Sequence, residues 1–184
     1  MIDCGVPFGK MKDDLYQVDT LMITHSHSDH VKENTLEHIR EEFPGITIYG
    51  NADVAYQFSV DTVIGSRRFK LPHKREILPV PGIHDVPVTG FVIFMKGLNI
   101  LYMTDTSRII LPEEIPLDYV FLESNYDETK IKERAKKYKR HGYDPYANSV
   151  CRHLSTQKCK EFYYVNRRNE ESVLIELHKS SRFY

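Results

Sequence analysis

The stretch that decides the fold is Leu21-Met22-Ile23-Thr24-His25-Ser26-His27-Ser28-Asp29-His30. Its three leading apolar residues predict a short buried strand that stops just before the histidines. Alternate side chains of an extended segment point the same way, so His25 and His27 can share one cation. The chain can then turn and present Asp29 and His30 to a second cation. The stretch therefore predicts two adjacent metal sites; the alternative is a polar loop with surplus histidines.

The residues that follow this stretch predict an α/β domain. The apolar residues Leu36, Ile39 and Phe43 recur at intervals of three and four, which is the period of a helix within residues 31–43. Pro44-Gly45 ends this helix, and residues 46–49 then predict a strand. A second helix follows the turn at residues 50–51. Strand, helix, strand, helix is the start of an α/β domain.

The remaining chain predicts a mixture of strands and helices. Prolines interrupt residues 67–80, so only short strands are expected there. The other predicted elements are a β-hairpin of residues 91–95 and 100–103, a buried strand at 119–122, helices at 129–140 and 155–162, and a last strand at 173–177.

Length and composition limit the class of protein. A chain of 184 residues fits one sizeable core, so we expect a single domain over residues 1–184. A hydrophobic content of 41% with 28% charged residues excludes disordered and low-complexity classes, and a net charge of −1 says little about partners. No apolar run approaches the roughly 18 to 20 residues of a membrane span. Three scattered cysteines argue against a disulfide framework, so we expect a cytoplasmic protein without a membrane partner.

The order Thr-His-x-His-x-Asp-His after an apolar strand resembles the signature of the metallo-β-lactamase superfamily. This resemblance implies an α/β fold of the αββα sandwich type, with two metal ions at one edge. Further segments resemble the family in the expected order. They are Gly82-Ile83-His84-Asp85, similar to the His-Asp step of the phosphodiesterase and nuclease branches, Tyr102-Met103-Thr104-Asp105-Thr106, similar to the Thr-Asp-Thr turn, and Leu177-His178-Lys179-Ser180-Ser181-Arg182-Phe183-Tyr184, similar to the ending of ribonuclease Z-like enzymes.

The resemblance implies a complete set of metal ligands. The first ion would be held by His25, His27, His84 and Asp105, and the second by Asp29, His30, His178 and the same Asp105. Three or four ligands for each ion leave positions open for water and substrate, as in catalytic sites. Zinc suits imidazole and carboxylate ligands, and manganese is the alternative. Taken without the resemblance, His84, Asp105 and His178 would be a loop histidine, a turn aspartate and a tail histidine.

Two further segments resemble the phosphodiesterase-like branch. They are Leu122-Glu123-Ser124-Asn125 and Arg152-His153-Leu154-Ser155, similar to Glu-Ser-Asn and Gly-His-Leu-Ser in that branch. The resemblance implies that His153 serves the leaving group, and we expect Asn125, Arg152 and Ser155 to contact the substrate. Asp29 and Asp105 would orient the attacking water. Arg152 stands where the family usually has glycine, which puts the phosphate contact in question. The alternative to this catalytic role is that His153 is a buried structural histidine that precedes a helix cap.

A basic segment precedes these residues. Seven lysines and arginines occur between residues 130 and 140, opposed by Glu133 alone, on a helix with Ile131, Ala135 and Tyr138 inside. Such a positive face would attract phosphates, although a solvated helix surface is an equal alternative. Tyr143 and Tyr146 could stack on a base or pack against the protein. The basic residues are Lys130, Lys132, Arg134, Lys136, Lys137, Lys139 and Arg140.

These features predict a two-metal phosphodiesterase that hydrolyses a cyclic nucleotide or a nucleic acid with activated water. The resemblance extends to phage anti-Pycsar phosphodiesterases and to small bacterial exonuclease-like proteins. A nuclease acting on DNA or RNA is one alternative, and an inactive metal-binding relative is another. No insertion is long enough for the RNA-binding arm of a tRNA-processing ribonuclease Z.

The beginning of the chain departs from the family pattern. Family members usually carry a β-hairpin before the Ile-Asp-Cys-Gly strand, and here Met1 stands directly ahead of it. We therefore expect the usual N-terminal hairpin to be missing and a sheet edge to be open. Because an open edge pairs readily with another chain, the sequence predicts a homodimer.

Overall fold

The computed structural model describes the backbone of residues 1–138 and 145–180, and the side chains of residues 1–133 and 149–180. Several residues named above lie outside these described residues. They are the side chains of Arg134, Ala135, Lys136, Lys137, Tyr138 and Tyr146, and residues Lys139, Arg140, Tyr143, Ser181, Arg182, Phe183 and Tyr184.

The described residues form helices and strands that alternate in the first half of the chain. In chain order the elements are α1 (Phe8–Leu15), β1 (Thr20–Ile23), α2 (Glu33–Glu42), β2 (Thr47–Gly50), α3 (Ala52–Gln57), β3 (Thr62–Val63), β4 (Phe69–Leu71), β5 (Arg75–Pro81), β6 (Thr89–Met95), β7 (Leu98–Met103), β8 (Tyr119–Glu123), α4 (Glu128–Tyr138), α5 (Pro145–Arg152), α6 (Thr156–Asn166) and β9 (Val173–Leu177).

The strands make two sheets. Strands β1, β2 and β3 form a parallel three-stranded sheet in that order. The second sheet has the order β4 to β9; its first four strands are antiparallel, and β7, β8 and β9 are parallel. The carboxyl ends of three parallel strands therefore meet at one edge of the larger sheet, where Met103 pairs with Leu122 and Glu123 with Leu177.

Alternation along β1 separates two layers of the core. Leu21 and Ile23 are fully buried and pack in a cluster with residues of α1 and α2. Met22, between them, joins Ile77 and Phe91 of the larger sheet in another cluster. Successive side chains of a strand point to opposite faces, so β1 has helices on one side and the second sheet on the other.

The same alternation in the larger sheet produces the outer layer. Ile77 and Phe91 face the first sheet. Leu78 and Val92, the next residues along their strands, point to the opposite face and pack in a third cluster. This third cluster includes Cys159 and Tyr163 of α6. Helices therefore cover both outer faces of two stacked sheets, which is the αββα sandwich expected from the sequence.

The first five residues lie along the edge of β1. Isolated bridges pair Ile2 with Met22 and Cys4 with Val31. A Cβ atom on Gly5 would lie 1.8 Å from the carbonyl oxygen of Asp29, so only glycine allows this close approach. The beginning of the chain thus supports the loop that carries the first histidines.

Most predicted elements are present with shifts of a few residues at their ends. Helix α1, strand β3 and helix α5 were not predicted from the sequence. Helix α1 buries only Met11 and Leu15, and both residues of β3 are exposed, so neither has a clear apolar period. The three cysteines are free, as expected. Within the described ranges, no helix is both long and apolar enough to cross a lipid bilayer.

Candidate metal centre

The histidine loop begins where β1 ends. His25 is 0% exposed, and its Nδ1 atom lies 3.0 Å from Oγ1 of Thr24, which also lies 3.0 Å from Asp3. Thr24 can donate to Asp3 and accept from His25, so Nε2 of His25 carries the lone pair. Burial and the positive charge of His30 lower the pKa of His25 to about 3. The ring is therefore a neutral imidazole, which is the form that binds metals.

Nε2 of His25 is a buried polar atom without a hydrogen-bond partner among the described residues. Such atoms are rare in proteins, because a buried group without a partner costs stability. One nitrogen from each of His25, His27 and His84 lies within 4.8 Å of the other two. A cation among these three rings would give the unpaired nitrogen its partner, so the donor set fits a metal ion.

His84 reaches this cluster from the loop between β5 and β6. Its side chain is 3% exposed, and its Nδ1 atom lies 3.1 Å from the carbonyl oxygen of Arg152. Because a carbonyl can only accept, Nδ1 carries the proton and Nε2 is left as the ligand atom. Backbone partners of this kind fix the tautomer and orientation of metal-binding histidines.

His30 lies between two buried carboxylates. Its Nδ1 atom is 2.7 Å from Oδ2 of Asp3, and its Nε2 atom is 3.2 Å from Oδ2 of Asp105. Burial opposes the charged ring, but the hydrogen bonds to Asp105 and Asp3 raise the pKa of His30 to about 10. Burial also raises the pKa of Asp3. The two carboxylates thus stabilise a positive charge at this position, and a metal ion supplies one.

Asp105 is the common member of two ligand clusters. It groups with His25 and His30 on one side and with Glu123, His153 and His178 on the other. Burial opposes its ionisation, but hydrogen bonds from His30 and Thr104 and the charge of His178 hold its pKa below the ordinary value. An ionised carboxylate between two groups of histidines has the position of a bridging ligand.

Glu123, the last residue of β8, accepts four hydrogen bonds. It is 0% exposed. Its Oε1 atom lies 2.6 Å from Nδ1 of His153 and 2.8 Å from Nδ1 of His178. Its Oε2 atom accepts from the backbone N–H groups of Thr106 at 2.7 Å and Leu154 at 3.3 Å. A single carboxylate thus connects the loops after β7, α5 and β9.

His178 follows β9 directly and is further held by Asn125. The side-chain amide of Asn125 donates to the carbonyl of His178 at 2.9 Å. The hydrogen bond from Nδ1 of His178 to Glu123 and the charge of Asp105 raise the pKa of His178 above its ordinary value, although burial acts in the opposite direction. The position of Asn125 therefore orients a candidate ligand, besides the substrate contact predicted for it.

Backbone strain is concentrated at this edge. Six described residues other than glycine have positive φ angles, and three of them, Asp3, Asp105 and His178, belong to the site. L-residues rarely adopt this conformation, which costs free energy unless the surroundings enforce it. Packing elsewhere in the fold therefore holds these side chains in place.

Asp29 is more remote than the predicted ligand set requires. Its side chain is 70% exposed, and its Oδ2 atom lies 3.7 Å from Nε2 of His30. It belongs to none of the described clusters of ligand atoms, while Glu123 and His153 join the second cluster. The structure thus brings His25, His27, His30, His84, Asp105, His153 and His178 together and leaves Asp29 at the rim.

Ser155 stabilises the beginning of α6. It is 0% exposed and caps α6, since its Oγ atom accepts from the N–H of Lys158 at 3.2 Å. The same hydroxyl donates to Glu128 at 2.7 Å. Its oxygen therefore has partners within the protein, in contrast to the substrate contact predicted for it.

Arg152, the last residue of α5, lies at the opposite rim. Its guanidinium is 3.0 Å from Oδ2 of Asp85, whose Oδ1 atom is 3.0 Å from Nε2 of His84 and 3.5 Å from Nε2 of His27. Burial favours the neutral carboxyl, but His84, Arg152 and His27 hold the pKa of Asp85 below its ordinary value. Arg152 remains 47% exposed, so its charge faces the entrance.

Three residues at the site had not been assigned a role from the sequence. Asp3 and Glu123 accept hydrogen bonds from candidate ligands, and Asp85 connects two of them to Arg152. For Glu123 a signal existed, because an acidic residue directly ends a buried apolar strand. No comparable signal marks Asp3, whose partners lie more than 20 residues away.

Comparisons with known proteins agree with this geometry. A protein-family model described as a beta-lactamase superfamily domain matches residues 4–143. No curated protein sequence matches the chain. Among solved structures, the metallo-beta-lactamase fold protein YhfI from Bacillus subtilis has a TM-score of 0.70 at 16% identity, covering 97% of this chain and 73% of its own.

Two other structures have a similar fold. A diphosphatase from the PhnP family has a TM-score of 0.67 at 18% identity and covers 99% of this chain and 68% of its own. The short form of human tRNase Z has a TM-score of 0.66 at 16% identity, covering 98% of this chain and 81% of its own. At such low identities these likenesses show the fold alone.

Proposed function

The chain belongs to the beta-lactamase superfamily, with the metallo-β-lactamase fold, and from this premise we propose that it is a phosphodiesterase that works with two divalent metal ions. One observation carries the proposal. Ligand atoms from His25, His27 and His84 form one cluster, and Asp105 joins this side of the site to His178 on the other. Loops from both sheets therefore supply a set of imidazoles and carboxylates suited to two ions.

The proposed ligands are those predicted from the sequence, except that Asp29 lies at the rim, outside the clusters of ligand atoms. Zinc fits the imidazole-rich set, and manganese is the alternative. Two bound ions would lower the pKa of a water molecule and neutralise the oxygens of a phosphodiester. Asp29 is proposed to orient that water, which its exposed carboxylate near His30 supports.

His153 is proposed to protonate the leaving oxygen. Its Nδ1 atom donates to Glu123, so Nε2 is the nitrogen left to hold a proton for the substrate. Proton transfer from a positioned side chain typically contributes roughly 10²- to 10⁴-fold in rate. Glu123 acts through His153 and is a positioning residue.

Arg152 is proposed to contact a phosphate oxygen. Its guanidinium is exposed at the rim and pairs with a single carboxylate, Asp85. A guanidinium can donate two parallel hydrogen bonds to a phosphate. A substrate phosphate near His84 and His27 would compete with Asp85 for this side chain, which suits a contact made only when substrate is bound.

The finer choice between a cyclic nucleotide and a nucleic acid depends on the size of the substrate. Lys130 and Lys132 are exposed on α4, and Ile131 between them is fully buried, as the helix pattern predicts. Exposed lysines favour a polymer, because phosphates beyond the scissile bond would contact them. A nuclease acting on DNA or RNA is therefore the second candidate, and an inactive metal-binding relative the third.

The test is hydrolysis by the metal-loaded protein of cyclic mononucleotides, single-stranded DNA and RNA, and bis(p-nitrophenyl) phosphate. We expect turnover of at least the last compound, and a loss of at least about 100-fold in Asp105→Ala. Asp13→Ala is the matched control, since Asp13 is exposed on α1. Absence of turnover of every phosphodiester by the wild-type protein, with metal bound, would contradict the proposal.

A further inference from the structure

A cavity on the outer face of the larger sheet is lined by residues that are close in sequence to those of the candidate metal centre. Its volume is about 390 Å³, within the range of roughly 300 to 1,000 Å³ that small-molecule sites occupy. It lies between the loop after β7 and helix α6, and it is lined at one end by Ser107 and Leu154. Leu154 follows His153 directly, and Ser107 is two residues beyond Asp105.

Hydrogen bonds connect this end of the cavity to the site. The N–H of Ser107 donates to the carbonyl of Ile83 at 2.8 Å, beside His84. The N–H of Leu154 donates to Glu123. The cavity is therefore lined by the loops that carry Asp105 and His153, and it extends along α6.

Two cations line the cavity. Arg108 comes from the loop after β7, and Lys158 from the first turn of α6; both are exposed. Glu161 lines the cavity one turn further along the helix, so the three charges sum to +1. Because Arg108 and Lys158 come from opposite walls, a phosphate between them could accept hydrogen bonds from both.

The far part of the cavity is apolar and aromatic. Phe162 and Val165 line it one and two turns beyond Lys158, on the same face of α6. Val165 is 76% exposed, so its side chain is free to contact a ligand in the cavity. Asn166 adds an amide at the end, with a donor and an acceptor. A ring with polar edges fits this wall.

We propose that this cavity is a nucleotide subsite: Arg108 and Lys158 bind a phosphate next to the scissile phosphodiester, and the attached base lies on Phe162 and Val165. The inference rests on the proposed phosphodiesterase function and narrows its substrate to molecules with a nucleotide beyond the bond that is cut. Base stacking on an aromatic side chain is tolerant of base identity, so the subsite selects nucleotides without reading sequence.

The test compares a substrate that fills the cavity with one that does not. The 5′-phosphorylated dinucleotide pApA has a base and a second phosphate, whereas bis(p-nitrophenyl) phosphate has neither. In Arg108→Ala and Lys158→Ala, we expect the ratio of kcat/KM for pApA to kcat/KM for bis(p-nitrophenyl) phosphate to fall roughly tenfold. Phe162→Leu, which retains apolar packing, should lower the same ratio. Lys160→Ala, on α6 but outside the cavity, is the control.

Calorimetric titration with adenosine monophosphate gives a second readout that needs no turnover. We expect Lys158→Ala to weaken binding of this nucleotide about tenfold and Lys160→Ala to leave it unchanged. An unchanged ratio and unchanged binding in all three cavity variants would overturn the subsite while leaving the phosphodiesterase intact. If the wild-type protein hydrolyses neither substrate, the proposed function fails, and loss of nucleotide binding in Lys158→Ala would still support the cavity as a nucleotide site.

Discussion

The Oδ2 atom of Asp3 lies 2.7 Å from the Nδ1 atom of His30, although 27 residues separate the two in the chain. The same carboxylate accepts the backbone N–H of Thr24 through Oδ1 at 2.8 Å. Asp3 thus holds both the end of β1 and a candidate metal ligand. It is a positioning residue, because it acts on the site through His30.

Replacing Asp3 with asparagine should weaken metal binding by roughly 10- to 100-fold. The amide has one oxygen in place of two, so either His30 or Thr24 loses its acceptor. Metal affinity is measured by competition with a chelator of known affinity. Asp13→Asn, on the exposed surface of α1, is the control. Equal affinities for both variants would show that Asp3 does not orient His30.

Gly5→Ala should destabilise the protein by at least about 3 kcal/mol, since the new Cβ atom would lie 1.8 Å from the carbonyl oxygen of Asp29. Urea unfolding monitored by circular dichroism measures the change. Gly9→Ala is a matched control, because a Cβ there has no neighbour within 4 Å and Gly9 lies in α1. Helix propensity should make that variant more stable by about 1 kcal/mol. A small effect of Gly5→Ala would mean that the loop moves away easily.

His153→Ala should affect substrates according to their leaving group. For a nucleotide substrate, whose leaving oxygen needs a proton, kcat should fall roughly 10²- to 10⁴-fold. For bis(p-nitrophenyl) phosphate the fall should be much smaller, because p-nitrophenolate leaves without protonation. Steady-state kinetics on both substrates make the comparison. An equal loss on both would assign His153 to metal or substrate binding instead.

The carboxylate of Asp118 should make stability depend on pH at the acidic end. Burial opposes its ionisation, but hydrogen bonds from Arg168 and the N–H of Asn99 lower its pKa below 3.8. A lowered folded-state pKa stabilises the protein above the unfolded value, and this contribution is lost as pH falls through the folded value. Asp118→Asn should therefore cost stability at pH 7 and less at pH 3.

Urea unfolding of the wild-type and Asp118→Asn proteins at both pH values measures this difference. Asp13→Asn, an exposed residue of α1, serves for comparison. If the free energies of unfolding of the wild-type and Asp118→Asn proteins differ by the same amount at pH 7 and pH 3, the lowered pKa of Asp118 is contradicted.

The parts of the fold with a strong local pattern could be predicted. The apolar run before His25 gave the position of β1, and the period of Leu36 and Ile39 gave α2, because in both cases the buried side chains repeat at the spacing of the element. Strand β9 matches residues 173–177 as predicted. Helix α1 was not predicted, because its eight residues bury only two side chains and therefore show little helical periodicity.

The candidate ligands that follow strands could be predicted from the sequence. The hydrogen bonds between residues far apart in the sequence could not. His178 directly follows a strand, and His25 and Asp105 each lie two residues after the end of one. The resemblance predicted their order. Glu123 accepts from residues 30 and 55 positions away, and no local pattern encodes such a partnership. The homodimer stays a prediction; sedimentation of a stable monomer at micromolar concentration would contradict it.

The apolar side chains between the two sheets also affect the geometry of the candidate metal centre. His25 follows a strand of the smaller sheet and Asp105 a strand of the larger one, while Met22, Ile77 and Phe91 fill the space between the sheets. These apolar side chains act as a spacer that sets how far apart the two halves of the ligand set stand. Shortening Phe91 would let the sheets approach and would change the distance between the two groups of candidate ligands without altering any of them, so the hydrophobic interior sets the dimensions of the candidate site.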